Sequence, residues 1–298
     1  MYIEKLFEKE TGKNKSDLLN DFLIFTGYLG RKKIVLDSKA YANDFAAFLL
    51  HAHHVSPYDL ILPCCKDKEI LEIGCFLGYG TSRIAKSANK VIAIDSDEDA
   101  LGFAREHRAG ANIVFQKSDA RRLPFPDNSF DILIAFQLIE HIPPREVGNF
   151  LADSKRVLKK HGLLFILTPN RKFRLLPFQR PFNPEHYQEF TAKKLVKVLE
   201  TYFDDVEIKG LRAKEWIEEI ERRRVRRSYP VYIKGVIYDL LPCAVKSMLS
   251  KPHSQSARPE NLDDGLFEGL FQKFSVSDFF LDGREVDKAM DIMAICKK

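Results

Sequence analysis

The sequence predicts an α/β protein built on a mostly parallel sheet with helices on both faces. Three observations carry that prediction. Apolar runs at residues 70–73, 91–94, 113–115, 132–136 and 163–167 read as strands with no solvent face. Segments of helical spacing alternate with them, at 82–87, 97–107, 145–158 and 192–201. A glycine-rich turn follows the first run directly. Strands that alternate with helices stack in parallel, and their crossovers are right-handed.

Composition narrows the class. A chain of 298 residues, 45% hydrophobic and 30% charged, suits a packed soluble protein and excludes a disordered one. Lys and Arg exceed Asp and Glu by 47 to 42, too small a surplus to argue for a nucleic-acid or membrane partner by itself. The first ten residues carry no apolar signal region, and no run approaches the roughly 20 uninterrupted apolar residues of a membrane span. Five cysteines without a CxxC pair argue against a disulfide framework, so a reducing, cytoplasmic location is expected.

In chain order, residues 1–60 read as an N-terminal helical segment packed on the core. Apolar positions at Ile3, Leu6 and Phe7, then at Leu18, Leu19, Phe22, Leu23 and Phe25, have helical spacing. Asp37 or Ser38 can cap a further helix that runs through Phe45 and Leu49 to about Val55, where Pro57 and Pro63 are expected to break it. The core comprises 61–212 plus 287–298, with late strands at 206–211 and 292–296. Between these, 213–286 is expected to be a mostly helical insertion. It holds a helix at 216–227, an amphipathic run at 232–249 and a polar loop at 250–264. Its place over the ligand-binding edge of the sheet suits the choice of substrate.

The chemistry is concentrated in Glu72-Ile73-Gly74-Cys75-Phe76-Leu77-Gly78-Tyr79-Gly80-Thr81. Glycines there let the backbone turn tightly and approach a ligand. Asp95 ends the next strand, 21 residues after Gly74, near the spacing at which an acid reaches a ribose diol. Phe76 occupies the middle position of G-x-G-x-x-G and Arg83 stands where its third glycine belongs, which disfavours a dinucleotide. No Gly-Lys-Ser/Thr follows, which excludes a P-loop. The pattern suits an adenosine-type ligand without phosphates. Asp95 can alternatively cap the following helix, and Asp119 can be a turn residue.

With these motifs in order, the stretch from Ile70 to Leu167 resembles the catalytic core of class I S-adenosylmethionine-dependent methyltransferases, the broad small-molecule group often called type 11. Glu72, Gly74, Gly78 and Gly80 match its first motif, whose loop cradles the methionine part of the cofactor. Phe76 departs from the glycine usual there. Asp95 matches the acid that binds the ribose hydroxyls. Ser118-Asp119-Ala120, with Leu123-Pro124-Phe125 and the stretch from Asp127 to Asp131, matches the later motifs, in which the Asp119 position and the next amide read the adenine. The resemblance implies a Rossmann-like doubly wound sheet of seven strands, order 3-2-1-4-5-7-6 with the seventh antiparallel. It also implies S-adenosyl-L-methionine as cofactor, held by Glu72, Gly74, Gly78, Gly80, Asp95, Ser96, Asp119, Ala120 and Phe136.

Downstream of the fourth strand, Gln137-Leu138-Ile139-Glu140-His141 resembles a Glu-x-x-Glu-His pattern of some metal-assisted O-methyltransferases, with an amide replacing the first carboxylate. An amide is a weaker ligand for a hard cation, and no metal is expected. His141 has an ordinary pKa suited to general-base work, the alternative being a structural Glu-His pair. His186 and Tyr187, in a His-x-x-x-Phe-Thr arrangement, border the acceptor pocket by the same resemblance. His141, His186 and Tyr187 are the catalytic candidates. His51, His53 and His54 lack a completing carboxylate and read as surface. Tyr41 lies over the cofactor by analogy. Arg222, Arg223, Arg224, Arg226 and Arg227 read either as a solvated helix paired to Glu218 and Glu219, or as contacts to a membrane surface or RNA. The expected acceptor is a small molecule or a lipid-linked one, methylated on oxygen or nitrogen. The rival expectation is a methyltransferase-fold binding module without catalysis.

Overall fold

The computed structural model describes residues 15–31, 45–181, 183–240 and 264–298. Its strands are β1 (Glu69–Ile73), β2 (Lys90–Asp95), β3 (Ile113–Lys117), β4 (Phe130–Phe136), β5 (Leu158–Pro169), β6 (Asp205–Ala213), β7 (Phe279–Asp282) and β8 (Asp291–Lys297). They form one sheet in the order β3-β2-β1-β4-β5-β8-β6-β7. The first five in that order pair in parallel, and β8 runs antiparallel between β5 and β6. The expected order is reproduced with β8 as the antiparallel strand, but the sheet has eight strands, not seven. The addition, β7, is four residues long and pairs only with β6 at the edge. Four residues are too few for either an alternating or a buried-run pattern to register, and it lies in the segment read as helical.

The helices are α1 (Lys15–Arg31), α2 (Phe45–Cys65), α3 (Tyr79–Ile84), α4 (Glu98–His107), α5 (Val147–Val157), α6 (Arg171–Arg174), α7 (Ala192–Leu199), α8 (Glu215–Leu240) and α9 (Asp264–Lys273). Alternate strand residues enter two cores. Leu71, Ile73, Leu133, Ile166 and Ile292 pack with Phe150 and Leu151 of α5 and Leu195 and Leu199 of α7. Ile70, Ile132, Phe165, Met293 and Ile295 pack on the opposite face with Tyr58 and Ile61 of α2 and Ile84 of α3. Burial on both faces is why these strands read as unbroken apolar runs. No helix among the described residues is long and apolar enough to cross a membrane.

Helix α2 overturns one expectation. It runs unbroken through Pro57 and Pro63 to Cys65. A proline inside a helix costs about 3 kcal/mol through a lost hydrogen bond and a ring clash. Burial of Leu49, Val55, Tyr58 and Ile61, each worth about 1.5–3 kcal/mol, offsets it. The histidines it carries are not on the surface: His51 and His53 are 3% and 7% exposed. A helix apolar all round is buried all round, and its polar residues go inside with it. His51 lies among Phe22, Phe25 and Tyr79, and burial pushes its pKa down to about 3.

An ion network fixes α1 to the core. Asp21 accepts from Arg83 at 3.0 Å and from Arg108 at 2.6 Å, and Arg83 also reaches Asp59 at 3.2 Å. The expected helix around Ile3, the cap at Asp37 or Ser38, Tyr41, Cys243, the end of the amphipathic run and the polar loop to residue 263 all lie outside the described residues.

Close packing makes Gly80 and Gly102 opposites. A Cβ on Gly80 would sit 2.1 Å from Tyr58 Cζ, whereas one on Gly102 would meet nothing within 4 Å. Gly80→Ala should therefore destabilise by at least the roughly 1–3 kcal/mol of overpacking, and Gly102→Ala should stabilise α4 by up to about 1 kcal/mol. Urea unfolding midpoints of the two variants check this, and equal midpoints would refute the contact.

Candidate active site

The turn after β1 has the backbone its glycines imply. Gly74 and Gly78 adopt φ of +80° and +71°, and a Cβ on Gly78 would lie 2.9 Å from the Phe115 ring. Phe76, a non-glycine, is also left-handed at φ 47°. Its amide donates to Asp95 Oδ2 at 2.8 Å, while its ring meets Tyr28 of α1 edge-on at 5.9 Å between centroids. The bulky side chain thus packs against α1. Asp95 Oδ1 accepts from the Asp97 amide at 2.9 Å. Asp97, not Asp95, caps α4, accepting from Asp99 and Ala100. The helix-cap alternative for Asp95 falls. Its carboxylate braces the glycine loop at the strand end.

Glu72 is 1% exposed and its Oε2 accepts from Thr81 Oγ1, while Oε1 is buried without a partner. Burial pushes its carboxyl up to about 7, with the neighbouring Thr81 and Tyr58 hydroxyls opposing the shift and Asp95 adding to it. Ser96 is exposed at the same edge and Ala120 is half-buried. Asp119 is exposed and accepts from the Arg121 amide and guanidinium at 2.9 Å and 2.6 Å, which holds its carboxyl below the usual range. The structure thus gives Asp119 a turn role, and so exposed an ion pair is weak enough to exchange. Phe136 is buried under Tyr58, 4.8 Å between centroids. These residues fit an adenosine-type cofactor: a loop whose glycines leave no room for side chains, and an acid at the end of the neighbouring strand.

The turn after β4 abuts that loop, since a Cβ on Gly74 would lie 3.1 Å from Leu138 Cδ1. Gln137 is left-handed at φ 52°, and its side-chain Nε2 donates to Asp291 Oδ2 at 2.6 Å. Glu140 is fully buried and accepts from Thr168 Oγ1 at 2.9 Å, and burial pushes its carboxyl up to about 8. The His141 ring meets His186 edge-on at 4.6 Å. Partial burial, then the neighbouring His186, lower the His141 pKa. His186 Nδ1 lies 3.2 Å from Glu189 Oε1, whose side chain is wholly buried. Ligand atoms of Glu140, His141 and His186 come within 4.8 Å of one another.

His141 and His186 open onto a cavity of about 260 Å³, shared with His53 of α2, Arg174 of α6, Glu221 and Arg224 of α8, and Asp291 of β8. His53 Nε2 lies 3.0 Å from Asp291 Oδ2. Burial opposes charge on both, but their mutual attraction prevails, raising the His53 pKa and lowering that of Asp291. Tyr187 is 62% exposed and is not brought into this cavity.

The arginine run does not act as one patch. Arg222 reaches Glu218 at 3.4 Å and lies over Phe173 at 4.6 Å, and Arg223 reaches Glu219 at 3.0 Å, as the solvated-helix reading expects. Arg224 instead pairs with Glu221 at 2.6 Å at the cavity wall. Arg226 and Arg227 are exposed. Sequence reasoning missed Arg174, Glu189, Glu221 and Asp291. An acid directly before the last apolar strand was a usable signal for Asp291, but periodicity carried none for the other three.

The order of strands, the glycine loop and the acid after β2 define an α/β core whose carboxyl edge has the shape and chemistry to suit a nucleoside-type cofactor. Residues 71–166 match the family described as a methyltransferase domain. Over those residues the chain is similar to S-adenosylmethionine-dependent methyltransferases. A relative from Mycobacterium tuberculosis, named a probable S-adenosylmethionine-dependent methyltransferase, is 36% identical over 159 residues. That match covers 53% of this chain and only 57% of the relative, little more than half its length. A fatty-acid O-methyltransferase of Mycolicibacterium smegmatis is 25% identical over 60% of this chain and 68% of its own. A solved S-adenosylmethionine-dependent methyltransferase from Thermotoga maritima shares the fold at TM-score 0.51 and 14% identity, over 92% of this chain and 98% of that one.

The raised carboxyl of Glu72 fixes a pH dependence. From its ordinary 4.5 up to about 7, the folded protein holds a proton that the unfolded chain releases. Its stabilising contribution is therefore full at low pH and is lost as pH rises through that window. Urea titrations between about pH 5 and about pH 8 should show wild type losing stability relative to Glu72→Gln. Parallel curves would mean that Glu72 titrates normally.

Proposed function

We propose that this protein binds S-adenosylmethionine over the carboxyl ends of β1 to β3 and transfers its methyl group to an oxygen or nitrogen of an acceptor seated in the adjoining cavity. The observation that carries the reading is the contact between Gly74 and Leu138, which sets the cofactor loop against the turn bearing His141. Glu72, the loop glycines, Asp95, Ser96, Asp119, Ala120 and Phe136 are the proposed cofactor set. The cofactor, when bound, supplies an electrophilic methyl on a sulfonium, already a good leaving group. The protein's share is then alignment and exclusion of water, with a base needed only for a protonated acceptor. His141, kept neutral by its lowered pKa, and His186, oriented through Nδ1 by Glu189, are the groups placed to take that proton.

The proposed division of labour assigns 61–212 and 287–298 to the core, 1–60 to a covering helical segment and 213–286 to acceptor choice. Glu221 and Arg224 in the cavity wall support the last assignment. The name of the fatty-acid relative supports a lipid-type acceptor as one candidate among small molecules. The exposed Arg226 and Arg227 leave room for a membrane-surface or RNA contact. One observation favours a second reading, in which a divalent cation assists transfer. Glu140, His141 and His186 can converge on an ion, and Glu140 Oε1 is buried without a partner.

Isothermal titration with S-adenosylmethionine separates catalysis from a degenerate binding module, which would give no heat. Asp95→Ala should cost about 1.5–3 kcal/mol of binding by removing charge-assisted hydrogen bonds to the ribose. Unchanged affinity in a folded variant removes Asp95 from the site. His141→Gln and His186→Gln should lower turnover by about 10²–10⁴-fold while leaving cofactor affinity intact, in the range expected for a lost general base. Chelation with EDTA discriminates the second reading: activity lost and restored by added Mg²⁺, Mn²⁺ or Zn²⁺ favours the cation, whereas unaffected activity removes it.

A further inference from the structure

The cavity beside His141 is polar, and each of its two carboxylates already holds a partner. Both oxygens of Glu221 accept from Arg224, at 2.7 Å and 2.6 Å. Asp291 Oδ2 takes the Gln137 amide at 2.6 Å and faces His53 Nε2 at 3.0 Å. Arg174 stands apart from these pairs. Its Nε is buried without a hydrogen-bond partner. Its nearest carboxylate, Glu189 Oε1, is 4.0 Å from Nη1 and is already within 3.2 Å of His186 Nδ1. A guanidinium offers five donors in a planar fork matched to a carboxylate or phosphate, and an unmet buried donor is costly. The charge of Arg174 is also among those acting on His53, His54, Glu221 and Asp291, so it pervades the cavity.

We propose that Arg174 is the anion-recognition residue of the acceptor cavity and that the acceptor carries an oxyanion, a carboxylate or a phosphoryl group. This rests on the reading of the cavity as the acceptor site. Its location fits: α6 begins two residues after β5 ends, so Arg174 hangs over the same edge as His141. Glu221 and Asp291 are not free to repel such a ligand, because Arg224 and His53 lie against them. Leu50 and Met290 leave an apolar side for the rest of a small molecule.

The test uses the full chain with ¹³C-labelled histidine, followed by imidazole resonances at constant ionic strength in chloride. Acetate, inorganic phosphate and neutral acetamide are titrated separately. Saturable shifts of His53, His141 or His186 with acetate or phosphate, but not with acetamide, are expected, and the stronger of the two names the oxyanion. Arg174→Gln should weaken that binding at least tenfold, and Arg174→Lys should retain part of it. Equal response to acetamide, equal affinity in Arg174→Gln, or no saturable shift with any probe would overturn the proposal. Calorimetry with S-adenosylmethionine on the same samples keeps two failures apart. Cofactor binding without anion binding refutes the role of Arg174, whereas anion binding without cofactor binding refutes methyl transfer. Retained cofactor affinity in Arg174→Gln shows that the variant is folded.

Discussion

An ionised carboxylate inside a protein must be matched by partners, and Asp291 is 1% exposed. Its partners come from distant parts of the chain: His53 from α2 and Gln137 from the turn after β4. Removing one member of such a buried pair typically costs about 3–5 kcal/mol, so the three segments are held to one arrangement. The cost of the left-handed backbone at Gln137, of order 1–3 kcal/mol, is tolerated because its side chain is claimed by Asp291. That turn in turn sets Glu140 and His141. A carboxylate at the Gln137 position would face Asp291 as a like charge, which accounts for the amide there.

The direction of β8 places this carboxylate. Parallel strands end at the edge where α/β folds collect their ligands. Because β8 is antiparallel, it begins at that edge, and its first residue joins the last residues of its neighbours. Asp95 does the equivalent work on the other side of β1. It ends β2 and holds the Phe76 and Asp97 amides, so the glycine loop is braced by the same acid that faces the ligand edge. Two strand-end acids thus organise two parts of the carboxyl edge, one through backbone amides and the other through side chains.

Helix geometry explains why five neighbouring arginines do not form a surface. Successive residues rotate by roughly 100° about the helix axis, so neighbours in sequence face different surroundings. Arg222 lies over Phe173, Arg223 runs out to Glu219, and Arg224 turns to Glu221 at the cavity. The run therefore contributes to the interior as much as to the surface. Its glutamates lie within the same helix, three or four residues away, where such pairs meet.

Local patterns settled the central strands and the glycine loop, because each depends on residues close in sequence. Buried strands are apolar on both faces, and a tight turn needs glycine. The expected strand order came with the family resemblance and held. Apart from the short β7, long-range contacts decided what sequence reasoning left out or placed elsewhere. Pro57 and Pro63 stay helical because α2 is buried along its length, Tyr58 and Ile61 against the sheet and Phe45 and Phe48 in a cluster with Phe22 and Phe274, and His51 and His53 are buried with it. Tyr187 stays outside the cavity. Arg174, Glu189, Glu221 and Asp291 acquire meaning only where α2, α6, α8 and β8 converge. No periodicity records that convergence, since the free energy that selects it comes from matching buried charges across segments far apart in the chain.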